Sequence, residues 1–300
     1  MKTIFMVAAI CVMAAACHRT ILPAVTPVVN TEIKNESGQT ILAGHASLSA
    51  LQLPAYKSWF DNSYNSYATD AAVAAQLKPL LQNKRMDVFL GSWCGDSKRE
   101  VPHMIKLLQA AGMDTAKLSL IFVDNSTTNY KQSPQHEEKG LGIHHVPTFI
   151  LYDERKELGR IIESPVVSLE KDLLAILQQS YQPNYRAIDY WTKQVATRKK
   201  AMTDEELQSL ANTLKPLCRH YGEFNAYGYV QLAAGEKVEA LNVFKLNTFI
   251  YPETAGVFDS LGEALAKLGD KAGAITAYEK VLVLKPGDAN AMERVRMLKN

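Results

Sequence analysis

Cys94 stands where a predicted strand gives way to a predicted helix. A short apolar segment runs through Gly91, Ser92 and Trp93 to Cys94, and a helical pattern follows it up to residue 111. The first amides of a helix lack partners within the helix and the helix dipole is positive there, so both favour thiolate over thiol. A thiolate is the nucleophile that attacks a disulfide. This segment therefore predicts thiol–disulfide exchange.

The other three cysteines offer no obvious partner for this thiol. Cys11 lies in an apolar N-terminal segment that Cys17 ends, so Cys94 and Cys218 are the thiols expected to remain in a mature chain. Cys218 continues a helical apolar stripe that includes Leu214, which is typical of a buried face. We interpret it as a core residue. Two distant cysteines do not form a disulfide scaffold.

Strands and helices alternate around Cys94. Short apolar runs predict strands, and helical spacing predicts helices between and after them. Since a polar turn joins the last two strands as a hairpin, we expect an α/β fold with a mixed sheet. Residues 38–68 are ambiguous, with one or two short strands in 40–53 and then an aromatic patch that packs on the next domain. The predicted strands are 86–90, 118–123, 148–152 and 158–162; the helices are 70–82, 96–111 and 168–179.

An internal repeat follows, within a region from residue 183 to 300 where strand signals stop. Its helices include one that Thr203 and Glu206 should start as a capping box. The 34-residue period resembles the tetratricopeptide repeat, with two repeats in about 221–286 and capping helices on either side. Five pairs of positions recur 34 residues apart: Gly228 and Gly262, Gly235 and Gly269, Ala240 and Ala274, Phe244 and Tyr278, and Pro252 and Pro286.

The stretch around Cys94 resembles the redox motif of thioredoxins. Downstream, residues 142–149 are similar to that family's loop before a cis proline. The resemblance covers about residues 70–180 and implies a thioredoxin-like fold. It implies that Pro147 is cis and that Val146 lies beside Cys94, where thioredoxins pair with an extended substrate segment. Five residues carry the motif at the family's spacing: Trp93, Cys94, Gly95, Lys98 and Pro102.

The resemblance also assigns roles to neighbouring residues. Trp93 would shield the thiol, pack against the domain, or do both, and Gly95, Val146 and His145 would contribute to the substrate-binding rim. Adjacent residues of an extended loop point in opposite directions, so His144 and His145 cannot chelate one ion well. We expect no metal and no cofactor.

Three departures from the family affect the chemistry. Ser97 stands where thioredoxins have the resolving cysteine, so an external thiol must resolve any mixed disulfide on Cys94. Ser97 can still donate a hydrogen bond to the Cys94 thiolate. Val88 replaces a buried aspartate implicated in deprotonating the resolving cysteine, and Asp96 replaces the usual proline, which puts a carboxylate near the thiol.

The N-terminus has the pattern of a signal peptide. Lys2 is followed by an apolar stretch that ends in three alanines and Cys17, which resembles a bacterial lipobox. This predicts a signal peptide over 1–17, acylation of Cys17 and a flexible tether over 18–37. The chain would then be exported and lipid-anchored to a bacterial envelope membrane, facing the periplasm. An ordinary small-residue cleavage site is the alternative.

Two functions remain open for the thioredoxin-like domain of residues 38–182 and the helical region of 183–300. One is single-thiol disulfide exchange on exported client proteins selected through the repeats, with an external thiol as reductant. The other is a non-catalytic scaffold for protein–protein interaction in the envelope. Because 33 Lys and Arg balance 31 Asp and Glu, no nucleic-acid partner is expected.

Overall fold

The computed structural model describes residues 29–196 and 200–300 of the chain. The predicted signal peptide, its Cys17 and the first part of the predicted tether lie outside the described residues. A six-stranded sheet with flanking helices comes first, and a helical region follows it. No helix within these two ranges is long and apolar enough to cross a bilayer.

The sheet is mixed, as the hairpin predicts. Its strands are β1 (Thr31–Lys34), β2 (Thr40–Ala46), β3 (Lys84–Leu90), β4 (Leu118–Phe122), β5 (Thr148–Asp153) and β6 (Lys156–Ile162). They lie in the order β1-β2-β4-β3-β5-β6; β3 and β4 run parallel, and the other neighbours are antiparallel. The four strands predicted between residues 86 and 162 are confirmed, each within two residues at either end.

The two faces of β3 pack into different apolar clusters because successive side chains of a strand alternate in direction. Val88 and Leu90 lie in the main core with the helices, whereas Phe89 packs with Ile150 on the opposite face, where Cys94 is attached. The candidate site therefore lies against the apolar cluster on this second face of the sheet. The helices of the main core are α1 (Pro54–Ser66), α2 (Ala71–Leu80), α3 (Gly95–Ala110) and α4 (Leu169–Leu177).

Strand β1 corrects the tether prediction. Thr31–Lys34 lies within the segment expected to be flexible, yet it pairs antiparallel with β2, with Ile33 opposite Ile41. The prediction is wrong for these residues. A four-residue edge strand with one aliphatic side chain has too little alternation to stand out in a sequence.

The undecided segment 38–68 forms β2, a 3-10 turn at Leu48–Gln52 and helix α1. Phe60 of α1 is buried in the main core, and the other predicted aromatic residues pack against it. The predicted aromatic patch is thus confirmed as part of the sheet domain. These other residues are Trp59, Tyr64 and Tyr67.

The helical region contains two helix pairs with equivalent contacts. An added Cβ at Gly228 would lie 2.8 Å from the Phe244 ring, and one at Gly262 would lie 3.0 Å from the Tyr278 ring. Each glycine therefore lets an aromatic ring of the next helix pack on the helix backbone. The predicted capping box between Thr203 and Glu206 is present. The helices described here are α5 (Arg186–Gln194), α6 (Asp204–Leu214), α7 (Gly222–Ala233), α8 (Lys237–Ile250), α9 (Ala255–Lys267), α10 (Lys271–Leu284) and α11 (Ala289–Lys299).

The Gly228 contact leads to a stability prediction. Gly228→Ala should destabilise the helical region by about 1–3 kcal/mol, because overpacking outweighs the helix propensity gained from alanine. Gly256→Ala in α9 is the matched control, since its Cβ would meet Tyr221 at an ordinary 3.5 Å. Urea unfolding followed by far-UV circular dichroism measures both. Equal stability of the two variants would contradict the close packing.

Candidate functional site

Cys94 is the N-cap of α3, at the end of the turn that follows β3. Its amide donates to the Gly91 carbonyl at 3.0 Å, and its carbonyl accepts the Lys98 amide at 3.0 Å, which starts the helix. The side chain is half-buried and makes no capping hydrogen bond. The free amides of the first turn and the helix dipole therefore favour negative charge at this position.

The Cys94 sulfur lies against the loop that precedes β5. Its thiol donates to the Val146 carbonyl, with the Sγ and oxygen atoms 3.2 Å apart. The Val146–Pro147 peptide bond is cis. The structure thus brings the Cys94 motif and the cis-proline motif together, although they are distant in sequence, as the resemblance implies. The Cys94 thiol donates its proton to a backbone carbonyl.

Trp93 covers the turn that carries Cys94. Its Nε1 donates to the Val123 carbonyl at 2.9 Å, just beyond β4. A Cβ at Gly91 would lie 2.5 Å from the indole Cε2 atom, so the ring packs directly on that glycine. Trp93 therefore fixes the turn, and only a glycine at residue 91 allows this arrangement.

We expect Gly91→Ala to displace the indole and to destabilise the protein by about 1–3 kcal/mol through overpacking. Gly95→Ala is the control, since a Cβ there would meet no atom within 4 Å. Chemical denaturation measures the stability, and Trp93 fluorescence reports whether the indole moves. A Gly91→Ala variant with the wild-type spectrum and stability would contradict the contact.

Ser97 is fully buried, and its hydroxyl oxygen accepts the Gly91 amide at 3.2 Å. Within residues 29–196, Ser97 makes no hydrogen bond to Cys94, although one was expected. The Cys94 thiol is hydrogen-bonded to the Val146 carbonyl instead. Ser97 thus ties α3 to the turn. Neighbouring Ser92, which the sequence did not single out, accepts the Leu42 amide at 3.1 Å and ties the same turn to β2.

The carboxylate of Asp96 is compensated by a cation. Arg99 Nη2 lies 2.7 Å from Asp96 Oδ1, and Arg99 Nε lies 2.7 Å from the buried carboxylate of Glu100. Glu100 first, and Asp96 after it, raise the pKa of the Arg99 guanidinium. The negative charge that replaces the usual proline is therefore partly offset at the helix start.

Residues 141–147, which we call the proline loop, are fixed through their carbonyl groups. Lys131 is buried, and its Nζ donates to the His144 carbonyl at 2.6 Å. A buried ammonium is costly in free energy unless it gains strong hydrogen bonds. The bond from Lys131 therefore holds the backbone of the proline loop in place at His144. No sequence pattern singles out Lys131. Three further donors bond the loop: Arg160 to Leu141, Thr148 to His145, and the Glu163 amide to Pro147.

The two histidines of the loop face the helical region. His144 is buried, and burial lowers its pKa to about 4. His145 stacks on Tyr185, with ring centroids 4.4 Å apart. Neither imidazole is hydrogen-bonded to Cys94 in the described part of the chain. His145, which was expected on the substrate-binding rim, therefore packs against Tyr185 instead. Tyr185 lies at the start of α5, and no sequence pattern singles it out.

Cys218 is separate from this site. Its sulfur donates to the Leu214 carbonyl at 3.3 Å, and it packs against the core of the helical region. Burial raises its pKa to about 12. A thiol in this environment is inert as a nucleophile, which agrees with its interpretation as a core residue.

The arrangement offers one accessible thiol at a helix start, a backbone acceptor beside it and open space at Gly95. In residues 29–196 and 200–300, no group of three or more His, Cys, Asp or Glu residues is placed to hold a metal ion. No family model and no curated protein matches the chain. Function must therefore be inferred from the site itself.

Proposed function

We propose that this chain is a thioredoxin-like protein that exchanges disulfides through a single thiol, Cys94. The observation that supports this most is the 3.2 Å contact between the Cys94 sulfur and the carbonyl of Val146, at a helix start and beside a cis proline. A helix start favours the thiolate that exchange needs. The mixed sheet with flanking helices is compatible with a thioredoxin-like fold.

The exchange has three steps. The Cys94 thiolate attacks one sulfur of a client disulfide, a Cys94–client disulfide forms, and the second client sulfur leaves as a thiolate that takes up a proton. An external thiolate then attacks the Cys94 sulfur and releases the client as a dithiol. A second external thiol frees Cys94, so two external thiols are oxidised to one disulfide for each client disulfide reduced.

The Val146 carbonyl would change partners during the first step. It accepts the Cys94 thiol proton at rest, and this acceptor becomes free once the sulfur is deprotonated or bonded to a client. An extended client segment could then donate a backbone amide to it, much as a strand adds to a sheet edge. Gly95 leaves room on the helix side of the thiol.

The helical region would select the clients. Its two helix pairs, with a glycine under an aromatic ring in each, support an assignment as tetratricopeptide-type repeats. We propose further that a lipid on Cys17 anchors the protein to an envelope membrane, facing the periplasm, where exported proteins with disulfides are the clients.

Alkylation with iodoacetamide tests the proposal. Mass spectrometry of the native protein, from about pH 5 to about pH 9, follows both thiols. We expect Cys94 to react in the folded state at neutral pH, while Cys218, which is half-buried and has a pKa raised to about 12, stays unmodified. If Cys94 reacts no faster than Cys218, exchange chemistry is excluded.

A scaffold without catalysis is the second candidate. It is favoured by Ser97, which stands in place of a second thiol and whose hydroxyl oxygen accepts the Gly91 amide. Non-reducing gels of envelope proteins from cells with wild-type chain or Cys94→Ala separate the candidates. Bands specific to wild type indicate mixed disulfides, and identical patterns indicate the scaffold.

A further inference from the structure

Two adjacent imidazoles lie between the proline loop and the helical region. His144 is 3% exposed, and its ring meets Tyr185 edge-on at 5.3 Å and Tyr227 at 6.0 Å. His145 is nearly parallel to the Tyr185 ring, at 4.4 Å. Aromatic contacts of this kind tolerate a neutral imidazole, but their apolar surroundings disfavour a buried charge.

The hydrogen bonds show that neutral rings fit this junction. His144 Nδ1 lies 2.8 Å from the Gly142 carbonyl, so its proton is on Nδ1 and the buried Nε2 is left without a partner. The Nδ1 of His145 is also buried and without a partner. In the described ranges, neither ring is paired with a carboxylate, so a proton on either would be an uncompensated charge.

The groups that face the histidines add to this penalty. Lys131 and Arg160 act on His144 from the sheet domain, and His145 meets the positive fields of Lys131, Arg219 and His220. Burial is the larger cause, and together they lower the pKa values of both imidazoles.

The nearby carboxyl groups are already engaged or neutralised. Glu163 accepts the Tyr185 hydroxyl, and Glu239 accepts the Tyr227 hydroxyl at 3.3 Å. Glu223 is fully buried on α7 and accepts the Arg219 amide; burial raises the pKa of this carboxyl, which weakens it as a counter-charge. None of the three is hydrogen-bonded or ion-paired to either imidazole.

We propose that His144 and His145 form a proton-operated latch, which holds the helical region on the proline loop while both rings are neutral and releases it on acidification. This inference goes beyond the proposed function and does not depend on thiol chemistry. Release would uncover the loop that carries Val146, so acidity would control how accessible that backbone is to a partner protein.

Proton binding to the two imidazoles is linked to opening of the latch. In the released state each imidazole has its ordinary pKa of about 6.5, whereas in the closed state His144 has a pKa of about 4 and that of His145 is also lowered. The closed state is therefore favoured above pH 6.5 and loses stability as the pH falls below it. Compared with a pH well above 6.5, the equilibrium constant for opening at pH 5 is larger by about 30-fold for each imidazole.

Hydrogen–deuterium exchange and small-angle X-ray scattering on the full folded chain test the latch. Wild type is compared at about pH 7.5 and about pH 5 with His145→Phe, which keeps the stack on Tyr185 but cannot take up a proton. His136→Phe, at an exposed histidine, is the matched control. We expect faster exchange, corrected for intrinsic rates, in residues 141–147 and 185–194 of wild type and control at the lower pH, with a larger radius of gyration. In His145→Phe the pH effect should fall by about 30-fold.

The latch is refuted if wild type shows no opening between these pH values, or if both variants respond alike. NMR titration of the wild-type imidazoles covers the case in which His145→Phe does not fold. Rings that become protonated only as the chain opens support the latch, and rings that titrate near pH 6.5 in the closed chain refute it. Alkylation of Cys94 is measured separately, so its failure would affect only the exchange proposal.

Discussion

Ser97→Cys is expected to let the protein release a reduced client without an external thiol. Ser97 lies in the first turn of α3, three residues after Cys94, so both side chains lie at the same end of the helix. A thiol at this position could attack the Cys94–client disulfide and displace the client as a thiolate. Wild type should instead accumulate the mixed disulfide, because no second thiol lies at the site in the described structure.

The release should be slow at neutral pH. Val88, which is buried, offers no carboxylate to take the proton from a thiol at residue 97, so the rate should rise with pH towards the ordinary thiol range of about 8.5. Mass spectrometry with a disulfide-bonded model peptide measures the lifetime of the adduct. We expect the half-life of the adduct to shorten by at least about tenfold, which corresponds to about 1.4 kcal/mol of barrier removed.

Two variants control this experiment. Ser97→Ala removes the hydroxyl bond to Gly91 without adding a thiol, so its adduct should persist as in wild type. Cys94→Ser should form no adduct at all. If Ser97→Cys retains the adduct as long as Ser97→Ala does, the two side chains are not within reach and the proposed site geometry is wrong.

Local patterns predicted much of the fold around the site. Strands β3 to β6 and helix α3 have clear periodicity and turn residues at their ends, and they lie where expected. The contact between Cys94 and Val146 links segments that are distant in sequence. It could be predicted only because both segments resemble motifs of a known family. Nothing local predicts it, because contacts at long sequence separation depend on how the whole sheet is assembled.

The features that the sequence did not indicate depend on such long-range packing. Lys131 lies in a polar run with Lys139, and the two look alike in sequence, yet Lys131 is buried against the His144 carbonyl and Lys139 is exposed. Tyr185 has a left-handed backbone conformation, with φ at 63°, that directs the chain onto the proline loop. A tyrosine carries no local signal for this conformation.

Among the variants proposed here, Trp191→Ala is expected to cause the largest loss of stability. The helical region should then unfold at a lower urea concentration than the sheet domain. Trp191 is fully buried in α5, where its ring meets Phe224 at 6.2 Å and its Nε1 donates to Glu239 at 2.5 Å. Removing a buried indole leaves a cavity that costs about 3–5 kcal/mol. The Glu239 carboxyl, whose pKa burial already raises, would lose one of its two donors.

The variant Trp191→Phe separates these two causes, since it keeps most of the ring volume and removes only the bond to Glu239. Tyr190→Ala, at the exposed neighbour, is the matched control and should change stability by less than about 0.5 kcal/mol. Urea unfolding is followed by circular dichroism for the helices and, in the variants that lack Trp191, by fluorescence of Trp59 and Trp93 for the sheet domain. Because α5 joins the two parts, through Tyr185 on one side and Trp191 on the other, its loosening should separate the two transitions. Coincident transitions with an unchanged midpoint would show that α5 does not connect them.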